Sequence, residues 1–198
     1  MRLAPIAVAA LAIFAGYKLY TRREIAHAPG VLAAADPEQR DIDSAAVIER
    51  GEFHLRPRAD FSATVRILRR EDYSVGALAK LVPTDFAVGW GPMSDSAVLA
   101  DVEISQGNRF YYWRTRNWPI QRADIETHSA NWHVIPENAS VSSALDRLRA
   151  GSVVELRGQL VDIEGGDGGM RTSLTRGDTG AGACEILLAE SVRITEER

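Results

Sequence analysis

Between Phe61 and Ile67 the chain alternates, with Phe61, Ala63, Val65 and Ile67 apolar and Ser62, Thr64 and Arg66 polar. A period of two turns one side of an extended backbone toward a core and predicts a half-buried strand. The pattern returns at Val154, Leu156 and Leu160, set against Glu155, Arg157 and Gln159, with Gly158 in the middle. A glycine inside such a run predicts a bulge or the sharp bend of a small barrel. CEILLAESVRI carries a last strand, in which Cys184 falls in phase with Ile186, Leu188, Val192 and Ile194. VEIS and RFYYWRT are separated by Gln106, Gly107 and Asn108, and Gly107 and Asn108 both tolerate the positive φ of a hairpin turn. NWHVIP is a short strand stopped by Pro136.

The period lengthens in SVSSALDRLRAG, where Val141, Leu145 and Leu148 share one helical face. Ser140 is the expected N-cap of that helix, and Gly151 is placed for its left-handed C-terminal cap. Ser94 is expected to cap a short helix through SDSAVLAD, and RADIETH reads as a single helical turn. Trp90, between Gly89 and Gly91, predicts a tight turn anchored by a buried indole. Together these elements predict a β-rich α+β fold: a small OB-like or partly open β-barrel with one or two short helices, behind an N-terminal hydrophobic helix.

That helix comes from the run without charge between Leu3 and Tyr17, closed by Lys18, Arg22 and Arg23. It is just long enough to span a bilayer if Lys18 snorkels and Tyr17 and Tyr20 sit at the interface. A signal peptide is the rival reading. The small-residue site Ala26-His27-Ala28 lies beyond basic residues and is followed by Pro29, which favours an uncleaved membrane anchor over 1–23. The flanking charges do not fix orientation. An apolar N-terminal segment with the soluble part behind it resembles an export signal, so the expectation is a single-pass inner-membrane protein with a periplasmic domain. Residues 24–51 mix Pro29, Gly30 and Pro37 with scattered acids and read as a linker, leaving 52–198 as one β-rich globular domain.

A net charge of −4 argues against nucleic acid as a partner. One cysteine, Cys184, excludes an intramolecular disulfide and a Cys-rich zinc module. Chemistry therefore has to come from a few segments. His128 and His133 in HSANWH are five apart, a spacing that puts them on opposite strand faces, so no metal site or cofactor is expected there. A thiolate at Cys184, with His128 or His133 as base and Asn131 or Asp178 orienting the imidazole, would make a hydrolase or transferase. Set against this, a cysteine in phase with the apolar residues of its strand is most simply a small buried hydrophobe. The polar, glycine-rich loop SLTRGDTG offers Thr175, Arg176 and Asp178 to a ligand, or folds on itself through an Arg176–Asp178 contact. RFYYWRTRNW interleaves Arg109, Arg114 and Arg116 with Phe110, Tyr111, Tyr112, Trp113 and Trp118, residues able to stack on rings if exposed.

The segments WGPMSD, HSANWHVIP and SLTRGDTGAGACE, with the lone N-terminal apolar run, resemble a set of bacterial membrane-anchored or exported proteins described only as hypothetical. The resemblance covers about Phe61 to Val192 and implies a cell-envelope setting, with no activity, cofactor or residue role to carry over. The expected function is a non-enzymatic, membrane-tethered module that binds a protein or small ligand through Arg176, Asp178, Thr175, Asn131, Trp132 and Arg114. The alternative is the Cys184 enzyme.

Overall fold

The computed structural model describes residues 23–166, 168–180 and 182–196; the expected anchor over 1–23 lies, but for its last residue, outside them. Among the described residues no helix is long and apolar enough to cross a membrane. The fold is β-rich, with a mixed sheet and a few short helices. Its elements are β1 (Glu38–Asp41), β2 (Ile48–Arg50), β3 (Phe53–Asp72), α1 (Ala77–Leu81), β4 (Thr84–Gly89), a 3-10 turn (Gly91–Ser94), α2 (Ser96–Leu99), β5 (Val102–Gly107), β6 (Phe110–Thr115), α3 (Arg122–Thr127), β7 (Ser129–Pro136), α4 (Ala139–Leu145), β8 (Val153–Gly165) and β9 (Glu185–Glu196).

Strand pairing runs β3-β4-β7-β9-β8 and returns to β3, so five strands follow one another around a ring. All neighbours are antiparallel except β7 and β9, which run parallel. β3 supplies the longest stave because its alternation extends well beyond the predicted stretch, from Phe53 through Ile67. Pro57, which has no N–H to give a ladder, sits where the β3–β8 register shifts, and a second shift lies between Ile67 and Arg69. Gly158 marks a bulge, as predicted: the β8–β9 register shifts between Arg157 and Gly158, and a Cβ on Gly158 would lie 1.9 Å from the Leu188 carbonyl oxygen. Only glycine lets the two backbones approach that closely.

The main core gathers Phe61, Val65, Phe86, Trp132, Leu156 and Leu187 with Val141 and Leu145 of α4 and Leu148 just past its end, the residues of the predicted helical face. The cap comes two residues earlier than expected. Asn138 Oδ1 accepts from the N–H groups of Ser140 and Val141, both at 3.0 Å, so the helix opens at Ala139. Asn is as good an N-cap as Ser, and here it comes first in the chain. Ser94 likewise gives up the role expected of it. Asp95 caps α2 through Ala97 N–H at 2.8 Å, while the buried Ser94 hydroxyl donates to Gly91 O and accepts from the N–H groups of Leu32 and Ala33.

Those last bonds bear on residues 24–51, read from sequence as linker. β1 and β2 pair with the outer edge of β3, and Ile25 and Ala33 are buried. Gly91 N–H donates to Ala33 O, Gly30 N–H to Asp95, and Trp90 Nε1 to Asp36 at 3.1 Å. WGPMSD is therefore a clamp on the segment after the apolar run, and the indole of Trp90 is buried as expected. The backbone there is held by tertiary contacts that leave no periodicity in its own sequence.

Candidate functional site

β5 and β6 form a separate two-stranded hairpin standing beside the start of β7. Its turn residues are Asn108 and Arg109, at φ 54° and 69°, one position later than predicted. Arginine in the left-handed region costs about 1 kcal/mol or more, and the surroundings hold it there. The Arg109 guanidinium lies 3.5 Å from the Tyr73 ring centroid and donates to Asp85 Oδ1 at 2.8 Å. Its backbone N–H donates to the Tyr73 hydroxyl at 3.0 Å, and its carbonyl accepts from Asn131 Nδ2 at 3.2 Å. Burial pushes the Tyr73 phenol up to about 12, so it stays protonated.

Asn131 and Ser129 hold the hairpin's inner side. Gln106 Nε2 donates to Asn131 Oδ1 at 2.7 Å, and the Tyr111 hydroxyl meets Ser129 O and Oγ at 3.2 and 3.1 Å. Asn131, expected to bind a ligand, is fully buried and acts as this clamp. His133 Nδ1 lies 2.9 Å from Asp85 Oδ1, off the line of a hydrogen bond, in the same buried cluster as Arg109. His128 is elsewhere: its Nδ1 is 2.9 Å from Asp124 O, and its ring packs beside Trp90 and over Gly91.

The 173–184 loop is shaped by short-range bonds. The Ser173 hydroxyl sits 2.8 Å from Asp178 Oδ2 and accepts from Thr175 N–H, while Thr175 Oγ1 accepts from Gly177 N–H. Arg176 does not close on Asp178. It turns inward, 5.4 Å above the Phe61 ring, with Nη2 3.1 Å from Glu185 Oε1. Glu185 is 1% exposed, and burial raises its carboxyl to about 7 against the pull of Arg176. Trp132 is its partner across the β7–β9 register and meets Phe61 edge-on at 5.3 Å. Trp132 is thus a core residue, not an exposed platform. Glu185 is the residue that sequence reading missed, its signal being a charge in phase with the apolar Leu187 and Ala189 of its own strand.

Hairpin and loop bound a cleft of about 570 Å³, lined by β6 from Phe110 to Thr115, by Trp118, Arg122 and Glu126, by Ser129 and Ala130, and by loop residues including Asp178 and Cys184. Phe110, Tyr112 and Trp118 are exposed, which is unusual for side chains of this size. The cleft's arginines are already paired, Arg114 with Glu103 and Arg122 with Glu126. The Cys184 thiol is half-buried at the cleft, its hydrogen-bonding neighbour is Asn131 at 3.9 Å, and burial pushes it up to about 11. Such a thiol is protonated at neutral pH. Among the described residues no three His, Cys, Asp or Glu side chains are grouped to hold a metal ion.

The sequence-predicted set therefore divides. Arg176, Trp132 and Asn131 belong to the packing behind the cleft, Thr175 to the loop's own turn, and Arg114, Asp178 and Cys184 to the cleft itself. No family model, curated protein or solved structure matches the chain.

Proposed function

We propose that the protein is a non-enzymatic binding module of the bacterial envelope, tethered by residues 1–23 to the inner membrane with its β-rich domain in the periplasm, and that the cleft between the β5–β6 hairpin and the 173–184 loop takes the partner. The observation that carries this reading is the concentration of exposed aromatic surface, Phe110, Tyr112 and Trp118, on a cleft whose walls are held by buried bonds. A rigid concave site with aromatic walls, whose arginines are already paired, suits binding, because its apolar area is already presented to a partner. An OB-like barrel is the finer fold reading. It is supported by the ring order, the parallel β7–β9 pair and the helix between β7 and β8, and OB-folds bind ligands with the second and third strands and the loop between the fourth and fifth. Here those are β4, β7 and the 173–184 loop, beside the cleft.

The test is crosslinking in cells with the full chain. Tyr112→Ala combined with Trp118→Ala, both at exposed positions, should leave folding intact and abolish the recovered partners; unchanged partners would remove the basis of the reading. The alternative, a hydrolase or transferase using Cys184 with His128 or His133, has the thiol's place at the cleft in its favour, and Cys184→Ser with an unchanged complementation phenotype would end it.

A further inference from the structure

β6 is an edge strand, and the geometry of its turn fixes which backbone groups are left over. Gly107 and Phe110 flank the two-residue turn at Asn108 and Arg109, so they form the first hydrogen-bonded pair of the ladder. The alternation then gives Phe110, Tyr112 and Arg114 to β5. Tyr111, Trp113 and Thr115 point their N–H and C=O groups away from β5, and among the described residues none of these groups has a partner. The open edge faces the cleft: all six residues of β6, both side-chain parities, line it. Natural sheets shield such edges with charge, proline or a covering segment. This one carries Phe110 and Tyr112 exposed at alternate positions, and its single charge, Arg114, is neutralised by Glu103.

We infer that β6 is a docking edge for an extended, uncharged peptide segment of a partner protein, which adds to the hairpin as a third strand within the cleft. The inference rests on the cleft being the binding surface and names what enters it. Main-chain bonds to Tyr111, Trp113 and Thr115 supply register, and alternate apolar side chains of the peptide meet the aromatics. Among the described residues that line the cleft, both cations are paired, Arg114 with Glu103 and Arg122 with Glu126, which gives an acidic peptide or a nucleic-acid strand little to hold there.

The probe is a randomised seven-residue peptide library displayed on phage and selected against the full 198-residue chain. The expected result is enrichment of proline-free sequences with apolar residues at alternate positions. The enriched peptide should slow hydrogen exchange at the amides of Tyr111, Trp113 and Thr115 by about tenfold or more, with the amides of Phe110, Tyr112 and Arg114 changed less. Thr115→Pro deletes one outward N–H without touching the ladder and should weaken that peptide roughly tenfold, the value of one hydrogen bond. Failure to enrich any sequence, a bound peptide that leaves those three amides unprotected, or protection that appears with rising concentration of the chain alone, which would make the occupant a second copy, each overturns the inference. If partners are still lost in the Tyr112→Ala, Trp118→Ala chain while the amides stay unprotected, the cleft stands as the binding surface and only the strand addition falls.

Discussion

The wall made by β3 and β8 and the face made by the β5–β6 hairpin, the start of β7 and the 173–184 loop are built on opposite terms. Along the wall, thirteen register pairs from Phe53–Gly165 to Arg66–Val153, with one shift after Pro57, form a ladder over Leu55, Phe61, Val65, Leu156 and Leu160, all buried. Its charges are mostly paired across strands, Arg56 with Glu164 at the surface, a pair of the kind that contributes little, and Arg58 with the buried Asp162, which also accepts from Thr172 N–H. The cleft face buries a denser set of polar groups. Asp85, Glu185, Trp132 and His133 are enclosed, and the apolar Phe110, Tyr112 and Trp118 are the ones exposed. The wall is spent on stability, and the face keeps polar groups and aromatics where a stable fold alone has no use for them.

Substitutions should separate the two regions in order of size. Leu160→Ala, in the wall, should cost about 2–5 kcal/mol in urea denaturation, while any folded fraction still binds. On the face, Glu185 gives a pH signature. Its folded value of about 7 lies above the ordinary carboxylate value, so the folded state holds the extra proton. Stability should therefore fall by about 3 kcal/mol as pH rises from roughly 4.5 to 7 and level off above. Glu185→Gln should flatten that slope; an unchanged slope would assign the proton elsewhere. Arg176→Ala strands the carboxylate and should cost roughly 2 kcal/mol at pH 8, given the partial exposure of Arg176, with proteolysis of the 173–184 loop as a second readout. Smallest is Tyr112→Ala, expected within about 0.5 kcal/mol of the parent while abolishing partner binding, which would show that face and wall are independent.

The same division explains what could be read from the chain. Strands and α4 were legible because their burial is periodic: Phe61 to Ile67, Val154 to Leu160, and the Val141, Leu145, Leu148 face. Gly158 was legible because a glycine there has a single structural meaning. The 24–51 segment was not, since its order comes from the side chains of Ser94, Asp95 and Trp90, some sixty residues away in the case of Ala33 and Ser94. At the site, the loop and hairpin were found from composition, but the roles inside them were not. Asn131 and Trp132 look like ligand groups until burial makes them a clamp and a core ring, and Arg176 chooses Glu185 over the nearer Asp178 because an ion pair under Phe61 is shielded from water.

One consequence concerns the order in which the protein is made. β7 and β8 do not pair with each other; β9 lies between them, parallel to one and antiparallel to the other. Until residues 185–196 leave the ribosome, the ring cannot close, and both strands present open edges. β3 must also wait for β8, roughly a hundred positions downstream, and such distant pairing is slow. A nascent chain of this topology therefore lacks its closed ring of strands until residues 185–196 have been made.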